Sequence, residues 1–182
     1  MDDEAVIPAP ARLLRDFVNT YEPQVDQESL GSVRRLRDWV RTHQPLPGVR
    51  AWHATDLEQV RAVREGLRGV LLGHAGHDTD PASVEALNTI LAREAVVIDF
   101  SPGGDYGLTP ATGSPVGALI ARLVGAVLRC REDGSWARLK VCDRESCRWA
   151  YYDGSRNLSR RWCSMAGCGN YVKMRRRGGR TS

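Results

Sequence analysis

The sequence predicts a mainly helical N-terminal domain with one short β-hairpin, followed by a small C-terminal module of a hairpin and a helix. Three observations lead to this fold class. Apolar residues recur at helical spacing through most of residues 1–135. A β-branched run at 95–100 interrupts that spacing. Four of the five cysteines lie in residues 142–168, so we divide the chain into domains at 1–135 and 136–182.

Two helices are predicted at the start of the chain from stripes of apolar residues. Segment 11–21 places such residues on one helical face, and segment 29–43 repeats the spacing before Pro45 and Pro47 end it. The stripe residues are Leu13, Leu14, Phe17 and Val18 in the first segment, and Leu30, Val33, Leu36 and Val40 in the second.

A third and a fourth helix are predicted from start signals and apolar spacing together. Thr55 followed by Glu58 has the pattern of a capping box, in which each side chain bonds the other residue's backbone N–H. Asp80 and Pro81 form an N-cap and first-turn pair for a helix over 81–94. The stripe of the third helix consists of Leu57, Val60, Val63, Leu67 and Leu71.

The helical spacing then stops at a predicted strand pair. Residues 95–100 are β-branched and end at a glycine-rich turn, and residues 106–110 pair with them as a hairpin. Ser114 and Pro115 begin a last long helix, which Cys130 closes as a buried small residue. Its apolar stripe is Val116, Leu119, Ile120, Leu123, Val124, Val127 and Leu128.

Charge is distributed unevenly along the chain. The whole chain carries a net charge of +4. Residues 138–182 hold 12 Lys and Arg against 3 Asp and Glu, a balance of +9, whereas residues 1–137 hold 14 against 19, a balance of −5. This asymmetry indicates two functions, with the basic C-terminal module facing a polyanion.

Composition also bounds where the protein acts. Apolar residues make up 42% of the 182, enough for a core, but the longest apolar runs are too short to cross a bilayer, so we expect no membrane partner. The acidic opening of the chain predicts no signal peptide. We therefore expect a cytoplasmic, reducing setting, in which clustered cysteines bind metals or act as catalytic thiols.

The cysteine spacing predicts a structural zinc site. Four residues separate Cys142 from Cys147 and Cys163 from Cys168, and fifteen residues separate the two pairs. Two such pairs supply opposite edges of a tetrahedron of thiolates about 2.3 Å from one Zn²⁺ ion. An iron–sulfur cluster uses the same ligands and stays a minor alternative. Unconnected thiols or two disulfides explain neither the matched pairs nor the expected compartment.

Around the cysteines the sequence predicts a finger of the treble-clef type: a knuckle, a hairpin and a helix that donates the last ligand. Residues 148–152 are aromatic and strand-like, and Asp153 and Gly154 have the composition of a hairpin turn. Ser164 is a candidate N-cap for a helix whose first turns contain Cys168. So small a module lacks a sufficient core, and zinc binding worth about 10 kcal/mol or more would stabilise it.

The basic residues of this module have two interpretations. Four thiolates around Zn²⁺ leave negative charge, which Arg144, Arg148, Arg160 or Arg161 would offset by donating hydrogen bonds to sulfur. The tail beyond the last ligand has no acidic partners in sequence, so phosphate contact is favoured there over a solvated tail. Its cations are Lys173, Arg175, Arg176, Arg177 and Arg180.

The segment CRWAYYDGSRNLSRRWCSMAGCGN, residues 147–170, resembles the CGNR zinc finger of bacterial, largely actinobacterial, proteins. Upstream, DFVNTY and VEALNTIL resemble motifs of the ABATE domain, the helical domain that precedes this finger in the family. The resemblance spans most of the chain. It implies a transcriptional regulator whose finger binds DNA and whose helical domain senses a ligand, with a role in stress responses.

The resemblance implies that the four cysteines are the metal ligands and that the matched finger motif contacts nucleic acid. One position departs from the family, because Tyr171 stands where its name-giving arginine lies. If that arginine contacts phosphate, one contact is lost here; if it supports the knuckle, Tyr171 must pack differently. The predicted nucleic-acid contacts are Arg156, Arg160, Arg161, Asn170, Lys173, Arg175, Arg176 and Arg177.

Polar residues on otherwise apolar helices are candidates for a ligand pocket. Asn19, Thr20 and Asn88 either hydrogen-bond between helices or line such a pocket. No nucleophile paired with a base stands out in the sequence, so we expect no enzymatic activity.

Together these features predict a DNA-binding transcriptional regulator with one structural zinc ion. The helical domain would sense an unknown small molecule or form a homodimer. The alternative is a zinc-stabilised protein-interaction module without DNA contact, in which Trp149, Tyr151, Tyr152 and Trp162 anchor a partner. RNA binding by stacking on the same aromatics lacks the sequence pattern of an RNA module.

Overall fold

A computed structural model of the chain describes residues 7–46, 49 and 51–178. Within these residues there are six α-helices and three two-stranded antiparallel sheets. In chain order the elements are α1 (Ala9–Val18), β1 (Tyr21–Glu22), β2 (Gln27–Glu28), α2 (Val33–His43), α3 (Ala54–His74), α4 (Pro81–Arg93), β3 (Val96–Phe100), β4 (Tyr106–Pro110), α5 (Pro115–Glu132), β5 (Leu139–Val141), β6 (Ala150–Tyr152) and α6 (Asn170–Gly178). The prediction of a helical N-terminal region with a β-hairpin is confirmed.

The first two helices bury most of the residues that their spacing predicts, although Leu13 and Val33 are half-buried and the buried Leu30 lies before α2. In α1, Leu14, Phe17 and Val18 are fully buried, and α2 buries Leu36 and Val40. The side chain of Ser32 accepts a hydrogen bond from the Arg35 N–H and so caps the start of α2. Between the two helices, the very short pair β1–β2 was not predicted, because two residues per strand give no alternation to detect.

The start of α3 differs from the prediction. His53 has extended backbone dihedrals and is the N-cap, and the Asp56 carboxylate accepts from the His53 N–H at 2.7 Å. The predicted capping box of Thr55 and Glu58 is therefore wrong, because both residues already lie inside the helix. Glu58 instead forms an ion pair with Arg61 one turn later, at 2.9 Å.

Helices α3 and α4 approach each other closely because α3 has glycine at the contact. A Cβ atom on Gly66 would lie 2.4 Å from the Cβ of Leu87, and one on Gly69 would lie 2.7 Å from the Ser83 hydroxyl oxygen. A side chain at Gly66 would push α4 away, whereas one at Gly69 would first require the Ser83 hydroxyl to rotate. The predicted N-cap of α4 is confirmed, since the Asp80 carboxylate accepts from the Ala82 N–H.

Helix α5 lies at the centre of the molecule. Its stripe residues Val116, Leu119, Ile120 and Leu123 are at most 2% exposed, and Cys130 is fully buried, as predicted. The last predicted stripe residue, Leu128, is instead exposed. The predicted hairpin forms between β3 and β4, with Val96 opposite Pro110 and Phe100 opposite Tyr106. It lies across the glycines of α5: Cβ atoms on Gly117 and Gly125 would be 3.2 Å from Pro110 and 3.8 Å from Leu108.

The main hydrophobic core extends from the helices into the first strands of the cysteine module. Leu139 and Val141 of β5 and Ala150 of β6 are buried in the same cluster as the residues of α1, α3 and α5. This places the cysteine-bearing loops against the helical region. None of the helices in the described ranges is both long and apolar enough to cross a membrane.

Candidate metal centre and finger surface

Two loops bring the four predicted cysteines together. Cys142 and Cys147 lie on the loop that joins β5 to β6, where the Cys142 N–H bonds the Trp149 carbonyl and the Cys147 N–H bonds the Arg144 carbonyl. Cys163 and Cys168 lie on a second loop that ends in a π-helical turn, Met165–Gly169. Ser164 caps this turn through its hydroxyl, which accepts from the Gly167 N–H at 3.2 Å, as predicted for the start of the last helix.

The geometry of the sulfurs fits one tetrahedral metal ion. All four Sγ atoms lie within 4.8 Å of one another, with 3.7 Å between Cys147 and Cys163 and 3.8 Å between Cys163 and Cys168. Thiolates 2.3 Å from a tetrahedral Zn²⁺ lie about 3.8 Å apart. A disulfide would hold its sulfurs at about 2.05 Å. The donor set and its spacing therefore suit a structural zinc ion and not a pair of disulfides.

The close sulfurs also couple the ionisation of the thiols. Hydrogen bonds from Cys147 and Cys163 lower the pKa of Cys142 to about 2. The hydrogen bond with Cys142 raises the pKa of Cys147 to about 12, and it raises the pKa of Cys163 as well. Thiols alone thus release protons unequally, whereas a metal ion holds all four as thiolates. Proton competition for these sulfurs makes the metal affinity dependent on pH.

Residue Arg144 connects the first cysteine loop to the last helix. Its Nη1 lies 3.9 Å from the Cys168 Sγ, within hydrogen-bond distance for sulfur. Its guanidinium carbon is 3.7 Å from the centroid of the Tyr171 ring, a stacked cation–π contact. Tyr171, which departs from the family motif, therefore supports the side chain that donates to a metal ligand.

Residues Arg160 and Arg161 position the second cysteine loop, and Arg161 also joins it to the first. Arg160 donates from Nε to the Trp162 carbonyl at 2.9 Å and from Nη2 to the Cys163 carbonyl, and it lies over the Tyr151 ring. Arg161 forms an ion pair with Asp143 at 2.7 Å, and its carbonyl accepts from the Asp143 N–H. These contacts fix the positions of the loops around the sulfurs.

Comparison with known families agrees with this geometry. Residues 11–130 match the ABATE family, described as "Putative stress-induced transcription regulator". The chain belongs to the ABATE family. Residues 138–180 match the CGNR zinc finger, and its four clustered cysteines bind one structural zinc ion. No curated protein matches the chain. Both family matches support a regulator.

A buried carboxylate connects β5, the loop after β6 and the second cysteine loop of the finger. Asp153 is fully buried and accepts from Lys140 Nζ at 2.8 Å, from the Ser155 hydroxyl at 2.6 Å and from the Arg160 N–H at 3.1 Å. Burial by itself raises the pKa of Asp153, but the hydrogen bonds from Lys140 and Ser155 outweigh it and lower that pKa.

The predicted hairpin turn at Asp153 and Gly154 is wrong. Strand β6 pairs with the preceding β5, with Lys140 opposite Tyr151, so the turn of this hairpin is the first cysteine loop. Asp153 follows β6 and anchors the loop beyond it. Asp followed by Gly is typical of a turn. The sequence alone does not distinguish an aspartate in a turn from one whose buried carboxylate accepts hydrogen bonds from backbone N–H groups.

The CGNR finger docks on the ABATE helices through polar contacts. The Asn19 side chain donates to the Ala150 carbonyl at 2.9 Å and accepts from the Ala150 N–H at 2.8 Å. Arg68 donates to the Arg148 carbonyl at 2.7 Å and to the Val18 carbonyl at 2.6 Å. The role of Arg68 was missed, although an arginine among the apolar residues of α3 was a visible signal.

Two histidines at the end of α3 add contacts to the finger. His74 Nδ1 lies 3.0 Å from the Leu139 carbonyl oxygen, and its ring meets Trp136 edge-on. His77 Nε2 lies 3.2 Å from Asp143, the same carboxylate that pairs with Arg161. The end of α3 therefore contacts both the first strand and the first cysteine loop of the finger.

The residues predicted to line a ligand pocket do not share one cavity among the clefts described. Asn19 lies at the edge of a cleft of about 550 Å³ between α1 and the finger, with both polar ends of its amide bonded to Ala150. The buried Thr20 donates to the Phe17 carbonyl and accepts from Arg64. Asn88 is exposed on α4. Ligand binding by these residues stays a prediction.

The predicted nucleic-acid residues differ in how exposed they are. Arg156, Lys173 and Arg175 are exposed, as is Asn170, whose side chain donates to the Ala166 carbonyl at 3.2 Å. Arg161 is 56% exposed despite its ion pair, and Arg160 is half-buried. The remaining predicted cations fall outside the described side chains (Arg176, Arg177) or outside the described residues (Arg180).

Proposed function

We propose that this ABATE protein is a transcriptional regulator that binds DNA through its CGNR finger. The observation that carries the proposal is the set of exposed cations Arg156, Lys173 and Arg175 on the surface of a module in which two loops bring four cysteines together. The net charge of +9 over residues 138–182 means that few acidic side chains in the finger can neutralise these cations. Such a surface attracts the phosphates of a duplex at long range and positions the protein on it.

The zinc ion contributes to binding through structure alone. When bound, it supplies a tetrahedral cross-link between the two cysteine loops. The chain's own residues do the rest. Arg160 positions the second cysteine loop, Arg161 joins it to the first through Asp143, and the Ser164 cap begins the turn that leads into α6. Lys173 and Arg175 then project from a helix whose start is fixed, so little backbone conformational freedom is lost when they contact phosphate.

Not every predicted cation belongs to the proposed contact set. The Arg160 guanidinium already donates to two carbonyls within the finger, so we assign it to positioning the second cysteine loop. Arg161 faces solvent, but Asp143 holds it at 2.7 Å, and a phosphate would have to replace that carboxylate. The proposed phosphate contacts are therefore Arg156 on the loop after β6, and Lys173 and Arg175 on α6, the helix that Asn170 begins.

For the helical domain we propose a sensory role without an enzymatic step. The family description supplies the link to stress-induced regulation. Helices α3, α4 and α5 enclose a cleft of about 160 Å³ whose lining is entirely apolar, with Trp136 at one side. A cavity of that size accommodates an apolar molecule about as large as benzene. The helical domain contacts the finger through Arg68, on α3, and through Asn19, which follows α1.

The alternative of a protein-interaction module is less well supported. It rests on the aromatics of the finger as anchors for a partner. Tyr151 is buried, and Trp149, Tyr152 and Trp162 are half-buried against the core or the cysteine cluster. Side chains that already pack inside the protein offer little area to a partner.

Binding of the zinc-loaded full chain to fluorescent duplex DNA, followed by anisotropy across a salt series, tests the proposal. We expect affinity to fall linearly with salt on a double-logarithmic plot, and Lys173→Ala with Arg175→Ala to reduce the slope by about 0.9 per lost phosphate contact. Arg34→Ala on α2, also an exposed arginine, is the matched control and should leave the slope unchanged. No binding at low salt, or equal effects of both variants, would overturn the proposal.

A further inference from the structure

The hairpin β3–β4 leaves one strand edge unpaired. Two backbone hydrogen bonds at the ends of the hairpin show which residues of β3 point their backbone groups at β4. The Ala111 N–H donates to the Ala95 carbonyl, and the Ser101 N–H donates to the Asp105 carbonyl. In an antiparallel ladder every second residue points its backbone groups at the partner strand. Residues 95, 97, 99 and 101 therefore face β4, and the N–H and C=O groups of Val96, Ile98 and Phe100 face outward.

The outer edge of β3 has little to prevent pairing with another strand. In the described residues β3 pairs with β4 alone. Its sequence, Val96–Phe100, contains no proline or lysine, the residues that commonly block an edge. The opposite edge of the hairpin is different, because Pro110 on β4 has no N–H to donate and β4 lies against α5.

An exposed apolar patch lies beside this edge. Ile98, Phe100 and Tyr106 are 60%, 68% and 69% exposed, and they share the face of the hairpin whose inner end, Leu108 and Pro110, covers α5. The rings of Phe100 and Tyr106 contact each other at a centroid distance of 6.0 Å. Leu128, one turn beyond Gly125 on α5, is exposed on the same side of that helix. Among the described residues, four of the ten exposed large apolar side chains lie on this hairpin.

We propose that this edge and patch form the interface of a homodimer in which two β3 strands pair antiparallel about a two-fold axis at Ile98. The outward backbone groups of Val96, Ile98 and Phe100 allow this register, which sets Ile98 opposite its own copy and Val96 opposite the copy's Phe100. A second copy is the natural occupant because the edge is complementary to itself. The result is one four-stranded sheet with both α5 helices on the same face.

Charge agrees with that register. Asp99 is the one charged residue of β3, and pairing about Ile98 sets it opposite Val97 of the other copy rather than opposite the second Asp99. Like charges facing each other across strands destabilise a sheet, so a register that separates the aspartates is favoured. Moving the two-fold axis by one residue, to Asp99, would set the two aspartates opposite each other. Sliding one strand by one residue would turn its apolar side chains to the other face of the sheet.

The available area suits an interface of modest size. Aromatic side chains bury about 150–250 Å² each when enclosed, so Phe100 and Tyr106 alone offer on the order of 200–300 Å² per protomer. Ile98 and the strand edge add to this area, which is small beside the roughly 800 Å² per partner of a standard specific interface, so we expect a weak dimer. The dimer is independent of the proposed DNA binding, although two fingers related by a two-fold axis suit repeated half-sites.

Sedimentation equilibrium of the zinc-loaded full chain, up to roughly 100 µM to include weak interfaces of this size, tests the proposal. We expect a dimer, and Ile98→Lys should raise its dissociation constant by about tenfold or more. Val25→Lys places the same charge at another exposed apolar position, in the turn between β1 and β2, and should not change the dimer. Zinc content and circular dichroism should be unchanged in both variants.

Cross-linking tests the register itself. Under mild oxidation Ile98→Cys should form a disulfide-linked dimer, because opposed residues of an antiparallel pair lie about 5.5 Å apart. Asp99→Cys should not, since its two copies are offset beyond the roughly 7 Å limit for a disulfide. A chain that stays monomeric, a dimer that Ile98→Lys leaves intact, or equal cross-linking at 98 and 99 would overturn the proposal.

Discussion

The side-chain amide of Asn19 pairs with both backbone groups of Ala150, accepting from its N–H at 2.8 Å and donating to its carbonyl at 2.9 Å. Asn19 follows the last residue of α1, and Ala150 begins β6 of the finger. The amide thus hydrogen-bonds the free edge of β6 in the way that a neighbouring strand would. One side chain of the helical region positions the strand that follows the first pair of metal ligands.

Removing this amide should loosen the finger. Asn19→Ala leaves the Ala150 N–H and C=O unpaired in a partly buried place, and we expect a loss of about 1–3 kcal/mol in the free energy of unfolding. Urea denaturation of zinc-loaded protein measures it. Asn88→Ala, the same substitution at an exposed helical position, is the control and should change stability by no more than about 0.5 kcal/mol. Equal losses in the two variants would contradict the role of Asn19.

The glycine contact between α3 and α4 predicts opposite effects at two glycines of one helix. Gly66→Ala sets a Cβ 2.4 Å from the Leu87 Cβ and should destabilise the protein by about 1–3 kcal/mol despite the better helix propensity of alanine. Gly73→Ala meets only Thr79, at 3.4 Å, and should be neutral or stabilising. Thermal unfolding of both variants decides, and a stabilised Gly66→Ala would show that the two helices are not closely packed.

The stacking of Tyr171 on Arg144 predicts an effect on metal retention. Tyr171→Ala frees the guanidinium that donates to Cys168, and a ligand that loses such support typically binds metal about 10–100-fold more weakly. Competition with a coloured zinc chelator measures the affinity. Met174→Ala on the same helix is the control, because its side chain is 73% exposed. Unchanged affinity in Tyr171→Ala would mean that Arg144 needs no support.

A buried ion pair in the helical region predicts a pH dependence that does not involve the metal ligands. Both oxygens of Glu28 accept from Arg64, at 2.7 and 2.8 Å. Burial raises the pKa of Glu28, but the hydrogen bonds from Arg64 and the Leu30 N–H, together with the charges of Arg64 and Arg61, outweigh it, so the folded pKa is lowered. The pair therefore stabilises the fold above about pH 4.3, the ordinary pKa of glutamate, and this is lost as pH falls through the folded pKa.

Glu28→Gln isolates that contribution. The difference in the free energy of unfolding between native chain and variant should be largest near neutral pH and shrink below about pH 4. Taking the difference removes the effect of zinc release in acid, which both chains share. Glu58→Gln, at an exposed glutamate paired with Arg61, should show little difference at any pH. A difference for Glu28→Gln that grows in acid would reverse the predicted sign.

The sequence predicted those parts of the fold that depend on local spacing. The buried stripe of α5 and the caps at Asp80, Ser114 and Ser164 follow from residues within one or two turns of each other. The paired cysteines predicted the metal site for the same reason, because each pair lies on one loop. The predicted capping box at the start of α3 was wrong because Thr55 with Glu58 and His53 with Asp56 have overlapping spacings in the sequence. Only the backbone geometry shows that His53 is the N-cap.

Contacts between distant segments could not be predicted in the same way. Asn19 and Ala150 lie 131 residues apart, and nothing local to either indicates the other. The sequence left Arg160 two roles, donation to a metal-bound sulfur or contact with phosphate, whereas in the structure its guanidinium donates to the carbonyls of Trp162 and Cys163. A basic residue beside a metal ligand has the same sequence pattern whether it faces solvent or turns inward, since the choice depends on where the carbonyls of the folded loop point.

The zinc-to-protein ratio of the chain, purified under reducing conditions and measured by elemental analysis, tests the central claim most directly. The account predicts one zinc per chain, lost when Cys163 is replaced by serine, together with the hydrogen-exchange protection of the finger. A chain without bound metal whose residues 139–170 are nonetheless well protected from exchange would contradict it.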